Sequence, residues 1–324
     1  MKLPRIRIAH LPTPIEPLPR LSALLGGPRL WVKRDDQTGL AMGGNKVRKL
    51  EFLLAEALAN GAKTLVTVGA AQSNHCRLTA ALAARYGLGC ILVLTGDAGQ
   101  EPSGNLVLDG LFCAEIVWTT RESRDAALKN VFSTAWETGR RPYLIPLGGS
   151  TPVGALGYAA AFEEFLDQNM IHPDWIVVAS SSGGTQAGLA LGAHRAHWGG
   201  KVMGISIDQP EAELRVRVAD LASQSADRAG ESLRIQPEEI MVNAGYLGGG
   251  YAVLGDGEVE AIRLFARHEG LLLDPVYTGR AAAGMIDLIR KGFFRPDETV
   301  LFWHTGGTPA LFADAYRTQL THPA

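Results

Sequence analysis

Four loops in this sequence carry residue types that do chemistry. The first is MGGNKVRK, residues 42–49, where two glycines lead into Asn45 and Lys46 and a helix is expected at once. The positive end of a helix dipole favours a neutral amine, and a neutral lysine amine can form a Schiff base. A glycine turn followed by solvated basic residues is the plainer alternative. The second is AQSNHCR, residues 71–77, placing Gln72, Ser73, Asn74 and His75 between a strand's carboxyl end and a helix's amino end. Free N–H groups there bind anions such as a carboxylate, although simple N-capping by Ser73 or Asn74 also accounts for them. The third, SSSGGTQAG at 180–188, holds Ser182, Gly183, Gly184 and Thr185 in another strand–loop–helix. It suits a phosphate ester, or else a tight turn; it lacks the lysine of the nucleotide P-loop and the GxGxxG of dinucleotide folds. The fourth pairs DPVYTG (274–279) with HTGGTP (304–309). Tyr277 could exchange a proton beside a cofactor, and Thr278 or Thr305 could offer a hydroxyl to a ring nitrogen. Tyr251 follows three glycines and either faces a cleft or packs.

These loops need strands and helices to hold them. Strand-like runs are expected at 29–33, 64–69, 89–94, 114–118, 142–146, 175–179, 202–207 and 299–303. Helical spacing is expected at 47–60, 74–86, 105–111, 126–138, 159–168, after the 180–188 loop, at 211–224 and at 258–269. Such alternation means parallel α/β units, in two sheets with a cleft between them. Four strands fall between 64 and 146; the later set is expected to recruit 29–33. Ligands sit at the carboxyl ends of parallel strands, where these loops fall.

Composition excludes other classes. The chain has 324 residues, 46% hydrophobic and 20% charged, with 38 glycines. The formal net charge of −2 offers no basic surplus for nucleic acid or an anionic membrane. Three cysteines without a CxxC pair suggest neither a disulfide framework nor a zinc site, and no metal is expected. Reduced thiols fit the cytoplasm. The N-terminal stretch lacks a signal-peptide core, and no apolar run of about 18 residues suggests a membrane span.

Taken together, KRDDQTGLAMGGNKVRKLEFLLAEAL, QSNH, SSGGTQAGLALG, LLDPVYTGRAAAGMIDLIRKG and HTGGTPALF resemble one family. It is the D-cysteine desulfhydrase and 1-aminocyclopropane-1-carboxylate (ACC) deaminase family of pyridoxal phosphate enzymes. Its fold is the tryptophan synthase β-like fold type II. The resemblance runs from about residue 12 to about residue 313. It implies a two-domain, three-layer parallel α/β fold, with a large cofactor domain at 1–50 and 162–324 and a small α/β domain at 51–161. It makes Lys46 the Schiff-base lysine, with Asn45 and Lys49 beside the cofactor. Ser73 and Asn74 match residues facing the substrate and the cofactor hydroxyl; Gln72 and His75 join them at the substrate. Ser182, Gly183, Gly184 and Thr185 match the phosphate loop. Tyr251 and Tyr277 match two tyrosines that face the substrate. A homodimer is implied.

The implied chemistry is β-elimination from an amino acid whose carboxylate lies against the Ser73–His75 helix start. Lys46 or Ser73 removes the α-proton, a β-substituent leaves, and pyruvate and ammonia follow. ACC deaminases carry a glutamate after the tyrosine of DPVY, near the pyridine nitrogen; here Thr278 stands there. A hydroxyl makes a weaker electron sink, which suits a good leaving group better than cyclopropane opening. That favours D-cysteine, with sulfide released. L-cysteate with sulfite released, ACC, and other β-substituted amino acids are the alternatives. A nicotinamide oxidoreductase would need GxGxxG and an acidic residue about 20 positions on, a pairing not found. A non-catalytic binding protein would be expected to lose Lys46, Ser73 or Tyr277.

Overall fold

The computed structural model describes residues 4–321. The chain opens with β1 (Ile15–Pro17), α1 (Pro19–Leu25), β2 (Arg29–Arg34) and α2 (Lys46–Ala59). An alternating run follows: β3 (Thr64–Ala70), α3 (Asn74–Arg85), β4 (Gly89–Thr95), α4 (Asn105–Leu111), β5 (Glu115–Thr119), α5 (Arg124–Glu137) and β6 (Pro142–Ile145). Then come α6 (Pro152–Gln168), β7 (Trp175–Ser180), α7 (Gly184–Arg195), β8 (Lys201–Ser206), α8 (Glu211–Arg228) and β9 (Met241–Asn243). The chain ends with α9 (Asp256–Glu269), α10 (Thr278–Arg290), β10 (Thr299–His304) and α11 (Asp314–Thr321).

The strands sort into two sheets. One is four-stranded and parallel, in the order β5-β4-β3-β6. The other has the order β1-β2-β10-β7-β8-β9, parallel throughout except that β1 lies antiparallel on β2. The early strand thus joins the later set, as its sequence position suggested. Both faces of the larger sheet are covered, and alternate residues divide between them. Val177, Val300 and Phe302 pack with Phe265 and Ile286 on one side. Ile176, Val178, Leu301 and Trp303 pack with Phe162 and Phe165 on the other. In the smaller sheet, Leu65, Leu92 and Leu94 pack with Leu50, Leu54 and Leu78, while Val66 and Ile91 face Ala135 of α5. Among the described residues, no helix is long and apolar enough to cross a membrane.

Three features differ from expectation. Helix α6 starts at Pro152, seven residues before the alanine-rich run at 159, because Thr151 caps it: Gly154 N–H donates to Thr151 Oγ1 at 2.9 Å. Its glycines are packing residues, since a Cβ on Gly157 would sit 2.3 Å from the Arg48 carbonyl oxygen. Helix α10 forms directly behind DPVYTG, burying Ala281, Met285 and Ile289. The short β1, α1, β9 and α11 carry too few residues for a readable period. Positions 50/51 and 161/162 lie inside α2 and α6, so a division there runs through continuous helices.

A buried ionic network fixes α2. The Arg48 guanidinium donates to both carboxylate oxygens of Asp35 at 2.8 Å and to both of Glu164 at 2.9 Å. Tyr158 and Trp303 also donate to Asp35. Burial alone would raise the Asp35 pKa, but the Arg48 charge and hydrogen bonds hold it at about 2. Lys46 lies two residues from this lock.

Candidate active site

A cavity opens between the two sheets at the carboxyl ends of β3, β4, β7, β8 and β10. Its empty volume, counting the space at the open mouth, is about 1110 Å³. All four chemistry-bearing loops reach its wall.

Lys46 is the first residue of α2 and lines the cavity. Its Nζ donates to Asn45 Oδ1 at 3.1 Å and lies 5.9 Å from the centroid of the Tyr277 ring. Desolvation brings this amine down to about 8; Asp274 opposes the shift and Arg77 adds to it. Asn45 Nδ2 donates to Thr185 Oγ1 at 2.9 Å, and Asn45 N–H donates to the Thr305 carbonyl at 2.9 Å. The lysine loop is thereby tied to α7 and to the end of β10. Asn45, Thr185 and Thr305 all line the cavity.

Ser73, Asn74 and His75 also line it, at the start of α3. Ser73 is the N-cap: its Oγ accepts from Cys76 N–H at 3.2 Å. Capping and cavity lining therefore coexist in one residue. A Cβ on Gly69 would meet Ser73 Oγ at 2.6 Å, so glycine at the end of β3 lets α3 start this close. Asn74 Oδ1 accepts from Asn105 Nδ2 at 3.0 Å, leaving the Asn74 amide N–H groups available. Thr67 Oγ1 gives its proton to the Ile145 carbonyl at 2.7 Å, so its 2.9 Å contact with His75 Nε2 requires the proton on that nitrogen. Burial, then Lys46 and Lys49, push the His75 pKa well down, so the ring is neutral. Its Nδ1 is buried without a partner.

The 180–188 loop places Ser182 and Gly183 on the cavity wall at the start of α7. Gly183 has φ 85° and, as N-cap of α7, brings no side chain of its own to the helix end. Ser150 is the functional residue that sequence reasoning missed. Its Oγ accepts from Gly184 N–H at 3.2 Å and lies 2.8 Å from Ser182 Oγ and 3.1 Å from Lys49 Nζ. The available signal was position: LGGST follows β6 as the other loops follow their strands. Thr95, Asp208, Arg121 and Arg124 line the cavity itself without having been expected there, whereas Ser150 stands behind it.

Tyr251 and Tyr277 line the cavity together, their hydroxyls 2.7 Å apart. Desolvation raises both phenols, most strongly Tyr277, so both keep their protons.

Four expected residues stand behind the wall. Lys49 is buried, donates to the Gly148 carbonyl and Ser150 Oγ, and is driven well down in pKa by burial and Lys46. Gln72 accepts from Asn105 N–H and donates to the Ser103 carbonyl, bracing α4 against α3. Gly184 sits one turn-start behind Gly183. Thr278 is fully buried, and its hydroxyl donates to Asp274 Oδ1 and accepts from Asp274 N–H, both at 2.7 Å. That hydroxyl is spent inside the fold, leaving Thr305 as the threonine of the pair on the cavity wall.

The architecture and the loops agree with known proteins. Residues 6–306 match the pyridoxal-phosphate dependent enzyme family. A D-cysteine desulfhydrase of Salmonella choleraesuis (strain SC-B67) is 43% identical over 320 residues, covering 96% of each chain, as is one of Salmonella typhi. A solved ACC deaminase homologue superposes with TM-score 0.89 at 38% identity, covering 98% of this chain and 96% of that one. Threonine deaminase isoform 2 of Solanum lycopersicum shares the fold, with TM-score 0.67 at 15% identity, covering 95% of this chain and 82% of its own. A family match over nearly the whole chain and relatives 43% identical across 96% of it, on loops that meet at one cavity, mean that this chain belongs to the pyridoxal-phosphate dependent enzymes.

Proposed function

We propose that this enzyme eliminates the β-substituent of D-cysteine, giving pyruvate, ammonia and hydrogen sulfide. The observation that carries the reading is the Lys46 amine, lowered to about 8 and 5.9 Å from the Tyr277 ring, sharing one cavity with the Tyr251–Tyr277 hydroxyl pair.

The residues present fit pyridoxal phosphate. The N-terminus of α7, with Ser182, Gly183 and Thr185 on the wall, offers N–H and hydroxyl groups to a phosphate. Lys46 offers an amine that gives up its proton far more readily than an ordinary lysine, for the covalent link. Asn45 and Asn74 on the cavity wall would offer amide groups to a ring hydroxyl, and Thr305 would offer its hydroxyl to a ring nitrogen. Bound there, the cofactor supplies an electron sink next to the substrate's α-carbon.

The protein's own groups do the rest. The α3 N-terminus at Ser73–His75 binds the substrate carboxylate. Lys46 Nζ takes the α-proton. The tyrosine pair, held protonated by burial, donates to the departing sulfur. Gln72 and Lys49 position α3 and the phosphate loop from behind.

Arg121 and Arg124 at the cavity wall favour a second reading, a β-substituent that is itself anionic, as in L-cysteate with sulfite released. The test is product analysis of purified, cofactor-loaded protein. Sulfide and pyruvate in equal amounts from D-cysteine, abolished by Lys46→Ala, support the first reading. Sulfite from L-cysteate without sulfide from D-cysteine replaces it with the second.

A homodimer working in the cytoplasm is proposed as well. The three cysteines are free thiols, two of them buried, which suits a reducing compartment. Light scattering tests the dimer.

A further inference from the structure

We infer that Arg77 is a positioning residue, which holds the turn that presents Lys46. The inference rests on Lys46 as the point of cofactor attachment. Residues 41 to 44 all have positive φ: Ala41 at 42°, Met42 at 67°, Gly43 at 66° and Gly44 at 120°. Two of the four are not glycine, and side chains disfavour that region. Glycine is demanded at 43, where a Cβ would lie 2.1 Å from the Asp36 carbonyl oxygen. Asn45 and Lys46 follow immediately. A backbone run of this kind persists only where its surroundings over-determine it.

Beside the backbone bonds from Gly43 N–H to the Leu40 carbonyl at 2.8 Å and from Gly44 N–H to the Asp35 carbonyl at 3.1 Å, two side chains hold it. From the same segment, Thr38 Oγ1 accepts from Gly44 N–H at 2.8 Å and donates to its carbonyl at 2.9 Å. From α3, which packs on this turn, the fully buried Arg77 donates Nη1 to the Ala41 carbonyl at 2.8 Å and Nη2 to the Gly43 carbonyl at 3.0 Å. One planar guanidinium therefore spans alternate carbonyls of the left-handed run, a geometry that suits a fork of donors and not a point charge. Arg77 N–H in turn bonds the Ser73 carbonyl, one helical turn back. The residue links the start of α3, where the carboxylate is proposed to sit, to the loop that aims the lysine. Distances between those two points govern attack geometry, and displacement of about 1 Å can cost about 100-fold in rate.

The experiment compares Arg77→Met and Arg77→Lys with the parent holoenzyme. It reads the visible band of the Lys46-bound cofactor, the rate of cofactor loss on dialysis, thermal unfolding, and kcat and KM for D-cysteine. Arg77→Lys keeps charge and stem and supplies a folded variant if Arg77→Met does not fold. The expected result is cofactor loss at least about tenfold faster and kcat down about 10- to 100-fold, with KM changed less than about threefold. Adding Ala41→Gly to the Arg77 variant removes the side chain that disfavours φ 42°, and should restore part of the cofactor retention. Unchanged cofactor loss and kcat in a folded Arg77 variant overturn the inference. So does loss without rescue by Ala41→Gly, since a packing role for Arg77 predicts that. Lys46→Ala is run alongside: if it keeps a covalently attached cofactor, the attachment reading fails and this inference falls with it, whereas an intact effect of Lys46→Ala beside a silent Arg77 overturns the positioning role alone.

Discussion

Tyr251 and Tyr277 bring their hydroxyls within 2.7 Å of each other although one stands in a glycine-rich loop and the other at the start of α10. Arg280 makes that meeting rigid. Fully buried on α10, it donates to the carbonyls of Gly250, Ile207 and Val253 and pairs with Glu258 at 2.7 Å. The loop before Tyr251 thus hangs on the helix that carries Tyr277. A proton shared between two phenols is well placed to reach a leaving group.

Removing either hydroxyl should therefore leave binding nearly intact and slow turnover. Tyr277→Phe and Tyr251→Phe are each expected to lower kcat about 100-fold, as for loss of a general acid. The double variant should cost little more than the worse single one, because the two act as a unit. Steady-state release of sulfide and pyruvate measures this. Additive losses in the double variant would separate the two roles.

Part of this site was legible in the sequence because the loops at 71–77, 180–188 and 304–309 each follow a buried strand, and parallel strands deliver such loops to one edge. That argument places Ser73, Asn74, Ser182 and Thr305 together without a structure, whereas Lys46, beyond two turns after β2, and Tyr277, beyond α9, join them only through the family resemblance. It fails where a hydroxyl has a choice of partner. Thr278 reads as a cofactor contact, yet Asp274 takes its hydroxyl because the turn before α10 needs a cap. It also fails for Ser150, which matters through its 3.2 Å bond to Gly184 N–H across 34 positions of chain. Helix α10 begins inside DPVYTG, whose proline and polar residues mask the apolar face that follows at Ala281, Met285 and Ile289.

Gly184 is a test of the phosphate cradle. A Cβ there would lie 2.6 Å from Ser150 Oγ, 2.8 Å from Lys49 Nζ and 3.0 Å from Ser150 Cα. The last is backbone and cannot swing away. Gly184→Ala should weaken pyridoxal phosphate binding about tenfold or more, equivalent to about 1.4 kcal/mol, while pyridoxal without phosphate is affected less. Titration of apoprotein with both compounds checks it, and equal weakening of the two would argue against phosphate at this helix end.

Asp109 gives the fold a pH dependence. It is fully buried, neither carboxylate oxygen has a partner, and burial raises its pKa to about 7 despite Arg77. The other titratable groups around it, Cys76 and Cys90, are buried thiols whose pKa values are themselves raised. The folded protein holds this proton after the unfolded chain has released it near 3.8. Stability from this group is therefore highest below that value and declines as pH rises towards about 7, by up to about 4 kcal/mol. Asp109→Asn should flatten the decline: relative to the parent it gains stability between about pH 5 and about pH 8 in urea unfolding. A parent–variant difference that stays constant across that range would contradict the assignment.

The lysine gives the sharpest pH prediction. Covalent attachment needs the neutral amine, and Lys46 is lowered from 10.5 to about 8, mainly by desolvation. Raising pH deprotonates it, so the rate at which apoprotein takes up pyridoxal phosphate should climb with pH and level off just above 8. An ordinary lysine would keep climbing by about tenfold per unit up to about 10.4. Arg77 contributes to the lowering through its charge, so Arg77→Met should move the plateau upward while Arg77→Lys leaves it nearer the parent. Stopped-flow absorbance of the apoprotein mixed with cofactor reads all three profiles. A rate still rising well above pH 9 in the parent would mean that the cavity does not desolvate the amine and that the Lys46 nucleophile is made reactive by something other than its burial.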